Sequence, residues 1–106
     1  MITTPASSIA GYRVLETLGL VYGNTIRARH LGKDILASLK LLVGGEIEEY
    51  TKMMAESREQ ALDRMKDDAA QLGADAVLDV RFTTSYIMGG AAEILAYGNA
   101  VKIGPA

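Results

Sequence analysis

Residues 76–103 read AVLDVRFTTSYIMGGAAEILAYGNAVKI, and this stretch decides the fold. Gly89-Gly90 supplies two residues that accept positive φ without steric cost, which a two-residue hairpin loop requires. With the loop placed there, Phe82 is expected to face Tyr97, Thr84 to face Leu95, Leu78 to face Val101 and Ala76 to face Ile103. Apolar positions of one strand then meet apolar positions of the other, and a one-residue slip would undo the match. On the reverse side Ala92, Ala96, Gly98 and Ala100 would lie opposite Ile87, Thr83, Arg81 and Asp79. Side chains that small let a second backbone or a ligand come close.

Upstream of the hairpin, Ile47, Tyr50, Met54, Ser57, Ala61, Met65, Ala69 and Leu72 recur at helical spacing. They predict one long helix from Glu46 to Leu72, closed by Gly73, with Glu46, Glu48 and Glu49 favoured by the positive end of its dipole. Leu31, Ile35, Leu39 and Leu42 predict a shorter helix ended by Gly44-Gly45. Tyr12 to Tyr22 alternates well enough for a strand with Val14, Leu18, Leu20 and Tyr22 inward, and Thr25 to Ala28 continues it. Residues 1–11 are rich in turn formers, with room for a short strand before them. The expected architecture is one α+β domain spanning 1–106, an antiparallel sheet packed on one long and one short helix. The long helix would cover Val14, Leu18, Leu78, Val80 and Phe82.

The 106 residues carry a net charge of −2, no cysteine and 49% hydrophobic residues, of which few are aromatic. Such a charge provides no basic field for nucleic acid. Absence of cysteine excludes disulfides, thiolate metal ligands and cysteine nucleophiles. No run is long and apolar enough to span a membrane, and Met1–Pro5 lacks the charge and apolar run of a signal peptide. A cytoplasmic protein is the expectation. Strands as long as the two at the C-terminus would expose sheet edges unless another chain covers them, so a homo-oligomer is expected.

Val43-Gly44-Gly45, Tyr50, Arg58, Ala61, Gly73-Ala74-Asp75-Ala76-Val77, Gly98 and Ala100-Val101-Lys102 together resemble the YbjQ-like family, and Asp34-Ile35-Leu36-Ala37 fits its first helix. That resemblance runs from about Gly19 to Ile103. It implies a compact α+β subunit assembled as a ring-shaped homopentamer, in a largely uncharacterised family that carries a heavy-metal-binding label. The chain departs from that label in having no cysteine, so only hard or borderline metals are in question.

Candidate residues are few. His30, the single histidine, and Asp34 stand four apart and could offer a divalent metal an imidazole and a carboxylate, two ligands where a tight site wants three or four. The alternative is a histidine hydrogen-bonded at a helix boundary. Asp63, Asp67 and Asp68 read as a solvated helix face rather than a cation site. Asp79 and Arg81, two apart on a strand, are expected to point the same way, into a polar pocket or a subunit contact. Tyr50 and Arg58 share one azimuth of the long helix and suit an interface. The resemblance makes a non-enzymatic oligomeric ligand-binding protein the leading expectation, and the lack of a nucleophile elbow or triad pattern fits it. The alternatives are a purely structural interaction module, and a small enzyme with an inter-subunit site built from Tyr50, Arg58, Asp79 and Arg81.

Overall fold

The computed structural model describes residues 1–27, 47–87 and 91–106, with side chains from Thr51 and from Ala92 in the second and third of these segments and up to Tyr86 in the second. The short helix expected over 31–43, the loop expected at Gly89-Gly90, His30 and Asp34 lie outside the described residues. Among the described residues five elements follow one another: β1 (Ile2–Thr3), β2 (Tyr12–Arg27), α1 (Ile47–Gln71), β3 (Ala76–Ile87) and β4 (Ala91–Pro105). The strands form one mixed sheet in the order β1-β3-β4-β2, with β1 parallel to β3 and the other two pairings antiparallel.

The helix forms where its apolar spacing predicts. Ser57, Ala61, Met65 and Ala69 are buried along one face, Met54 is partly buried, and Gly73 closes the helix at φ 78°. Leu72, expected on that face, is 47% exposed beyond the last turn. α1 packs chiefly on β2 and β4, and its core partners are Val21, Val77, Val80, Ile94, Ala96 and Ala100. Of the residues expected beneath it, Val80 is buried there and Leu18 partly so. Val14 is exposed, and Leu78 lies in a second cluster with Ala76, Val101, Ile9 and Ile103.

The hairpin register departs from the predicted one. Ile87 pairs with Ala91 and Phe82 with Ala96, one residue away from the expected match, so three residues rather than two connect the strands. Opposed residues share a face, so Phe82 joins Ala96 on the helix side while Tyr97 turns to the other. Since α1 does not extend over this part of β3, Phe82 is 45% exposed rather than in the core. A second shift between Leu78 and Arg81 pairs Ala76 with Val101 and Leu78 with Asn99. Two one-residue shifts restore the parity, and Ala76, Leu78, Val101 and Ile103 share a face as expected, though not as the expected pairs.

The small residues therefore lie beneath the helix. Gly23, opposite Ala96, lets α1 approach so closely that a Cβ there would fall on the Met65 amide nitrogen and 2.5 Å from the Ala61 carbonyl oxygen. Ala96, Gly98 and Ala100 belong to the same close-packed layer, not to an open reverse side. On β2 the inward residues are consequently Val21, Gly23 and Thr25, whereas Leu20 and Tyr22 point away. Register shifts at Val14/Glu16 and Thr17/Gly19 are what separate this pattern from the expected alternation.

Two substitutions check this layer. Gly23→Ala should destabilise the chain by about 3 kcal/mol, since the obstacle is backbone and cannot rotate away. Phe82→Ala should cost only about 1 kcal/mol, well below a core phenylalanine. Urea denaturation of both variants provides the comparison.

Candidate functional site

The shift on β3 centres on Asp79, which takes φ 55°, a conformation that is uncommon outside glycine and tolerated by Asp. Its side chain is tied on both oxygens: Ser7 Oγ donates to Oδ1 at 2.6 Å and Asn99 Nδ2 to Oδ2 at 3.3 Å. Arg81 Nη1 donates to the Pro5 and Val80 carbonyls, both at 2.9 Å. The Asp79 and Val80 amides donate to the Ala6 and Thr4 carbonyls at 3.0 Å. Asp79 and Arg81 thus both fasten residues 4–7 to the flank of β3. Ser7 and Asn99 could not be singled out beforehand, because each lies far from Asp79 in sequence.

Arg58 lies on the exposed side of α1, next to Ser57, whose carbonyl accepts from Thr25 Oγ1 at 3.1 Å. Tyr50 lies in the first turn of the same helix. Among the described residues, no hydrogen bond links Arg58 to Asp79 or Arg81, which belong to the N-terminal segment's attachment. No group of three or more His, Asp or Glu side chains that could hold a metal occurs among the described residues. With no cysteine in the sequence, a closed thiolate cage is also unavailable, so the described residues of one chain do not fit a heavy metal.

The face of the sheet opposite α1 carries a concavity. Leu20, Tyr22, Asn24, Glu93, Leu95 and Tyr97 line an open cleft of about 390 Å³. Tyr22 lies directly opposite Tyr97 across the β2–β4 ladder, and Asn24 Nδ2 donates to Glu93 Oε2 at 3.0 Å. The cleft is thus aromatic and aliphatic with one acidic, hydrogen-bonded end. Leu20 and Tyr22 are 63% and 58% exposed. A two-residue period over Leu20–Tyr22 and Leu95–Tyr97 signals this face in the sequence, although there it was expected to point inward.

A smaller groove of about 330 Å³ follows the junction of α1 with the flank of β2, lined by Tyr22, Asn24, Arg64, Asp67, Asp68 and Gln71 among others. Here the helix serves the strand's backbone. The Tyr22 amide donates to Asp68 Oδ2 at 3.2 Å, and Arg64 Nη1 donates to the Asn24 carbonyl at 2.6 Å. Arg27 Nη2 adds a bond to Gln60 Oε1 at 2.9 Å. Of the three aspartates on this helix, Asp68 therefore has a structural task.

Replacing Asp79 separates its conformational role from its bonds. Asp79→Ala loses both side-chain bonds and keeps the strained φ, at an expected cost of about 2 kcal/mol. Asp79→Gly loses the same bonds but relaxes the backbone, so its denaturation midpoint should lie above that of the alanine variant.

Comparison with known proteins assigns the chain as a whole. The model of the YbjQ family, described as "Putative heavy-metal-binding", matches residues 1–104. A UPF0145 protein from Archaeoglobus fulgidus is 58% identical over 103 residues, covering 97% of this chain and 95% of that one. Another from Methanosarcina acetivorans is 57% identical over 103 residues, with 97% of both chains covered. In structure, the chain is similar to a crystal structure of a protein with unknown function in the DUF74 family from Pediococcus pentosaceus, at a TM-score of 0.69 and 18% identity over 98% of each chain, which bears on the fold alone. No helix among the described residues is long and apolar enough to cross a membrane. On the whole-chain family match and the identity to these relatives, the chain belongs to the YbjQ family of UPF0145 proteins.

Proposed function

We propose that this chain is the subunit of a cytoplasmic homo-oligomer that binds a small ligand and catalyses no reaction. The family resemblance favours a ring of five. One observation carries the proposal: the sheet face away from α1 presents Leu20, Tyr22 and Ile26 at 58–63% exposure, the first two lining an open cleft. Apolar side chains grouped in this way mark a contact or binding surface rather than a finished exterior. The cleft's acidic end, Glu93 with Asn24, supplies the polar groups that orient a ligand on an apolar floor.

A divalent metal is one candidate ligand. Its donors would be oxygen and imidazole, with His30 and Asp34 repeated around a symmetry axis as the route to a full shell. Asp79 and Arg81 support the reading of a structural module as well, because their hydrogen bonds within the chain hold the N-terminal segment.

Native mass spectrometry of untagged protein purified without chelators tests the proposal. A single oligomer retaining a small molecule or metal in stoichiometric amount is the expected spectrum. An oligomer with no retained mass, together with no heat on titration with zinc, nickel or copper, would favour the structural module. A monomer at high concentration would overturn the assembly itself.

A further inference from the structure

We infer that neighbouring copies of this chain join edge to edge: the edge of β3 over residues 81–87 pairs with the edge of β2 over residues 12–20 in the next copy, neither edge being paired by a described strand. The inference rests on the homo-oligomer proposed above and specifies its contact.

Backbone groups in an antiparallel ladder alternate between facing the partner strand and facing away. On β2, the Tyr22 amide and Asn24 carbonyl face away from β4, because Asp68 and Arg64 reach them from α1. Register is unbroken from Gly19 to Arg27, so Leu20 faces away as well. Tyr97, opposite Tyr22, must then turn its own backbone groups toward β3. Arg81 is paired with Tyr97 and bonds inward, which leaves Phe82, Thr84 and Tyr86 facing out.

Half of each flank is closed within the chain. β1 pairs with Ala76 and Val77, and the carbonyls of Thr4 and Ala6 take the amides of Val80 and Asp79. Side chains of α1 close β2 at Tyr22 and Asn24. The open halves lie at opposite ends of opposite flanks: 81–87 runs beside the start of β4, and 12–20 beside its end.

The open edge of β3 reads Phe-Thr-Thr-Ser-Tyr-Ile after Arg81, without charge or proline, and its Phe82 and Tyr86 are 45% and 85% exposed. Such an edge is a template for pairing unless it is covered. The open edge of β2 exposes Tyr12, Val14, Leu15 and Leu20, and its two register shifts bend it. The two segments are similar in length. A head-to-tail contact covers both at once and repeats from copy to copy, closing into a ring when the rotation allows. A two-fold contact of β3 with β3 would leave β2 bare.

Two proline variants read this directly, because each removes an outward amide that serves no bond among the described residues. Thr84→Pro and Leu20→Pro should each reduce the assembly to monomers in native mass spectrometry while the far-UV circular dichroism is retained. Mixing them should restore a 1:1 dimer, since each keeps the edge the other lacks. A Leu20→Pro variant that dimerises alone would overturn the head-to-tail contact in favour of β3 pairing with itself. Both variants assembling like the wild type would overturn edge pairing and leave the homo-oligomer standing, whereas a monomeric wild type would overturn both. Hydrogen exchange on the unaltered protein decides the case if a proline variant fails to fold. The amides of Phe82, Thr84 and Tyr86 should exchange more than about tenfold slower than unstructured amides, and free exchange there would overturn the contact.

Discussion

The architecture depends on the backbone of α1 meeting the backbone of β2 at Gly23. No side chain separates them, since even a Cβ would strike the Met65 amide nitrogen. A helix seated that low has room beneath it only for small or slender residues, and Ala96, Ala100, Ala61 and Ala69 meet that condition. The layer gains stability from many close dispersion contacts rather than from a few large side chains. Met65 and Ile94 are the largest fully buried members.

That seating decides what the opposite face must carry. Strand residues alternate, so a small-residue helix face leaves Leu20, Tyr22, Leu95 and Tyr97 on the other side. The molecule thereby places its bulkier apolar strand residues outward over this region, the reverse of the arrangement expected from hydrophobicity alone. α1 alone does not span three long strands, so it leaves β3 beyond Val80 uncovered on the helix side, where Phe82 is 45% exposed. Both features follow from one close contact, and both leave a lone copy with apolar surface to cover.

Much of the topology was legible in the sequence. The long helix and its buried stripe follow from spacing alone, and the family from Gly73–Val77 and its companion motifs, with the match extending over nearly the whole chain. The hairpin was legible as a hairpin but not in its register. An apolar match scores Phe82 opposite Tyr97 as well as Phe82 opposite Ala96, because the pattern does not record where the helix stops. The pattern puts the small residues on the wrong side for the same reason: glycine and alanine mark close approach without saying of what. Of the candidate residues, Asp79 and Arg81 read in the sequence as lining a pocket or a subunit contact, whereas their hydrogen bonds run within the chain. Their partners Ser7, Asn99 and Pro5 are long-range contacts that only the folded register brings near.

The bulge at Asp79 connects the core to the flank. A Cβ on Gly98 would lie 2.6 Å from Val77 Cγ1 and 3.4 Å from Val80 Cγ2, so these two valines fill its place from one face. They are three apart, and an unbroken strand would set them on opposite faces. An extra residue between them is therefore required, and it appears as the register shift with Asp79 at positive φ. Glycine would adopt that backbone more readily, but it could not hold Ser7 and Asn99. The carboxylate helps to fasten the N-terminal segment along β3, and the segment's carbonyls take up the amides as far as Val80. Packing around one glycine in the core thus fixes where the protected part of the flank ends and where the open edge begins.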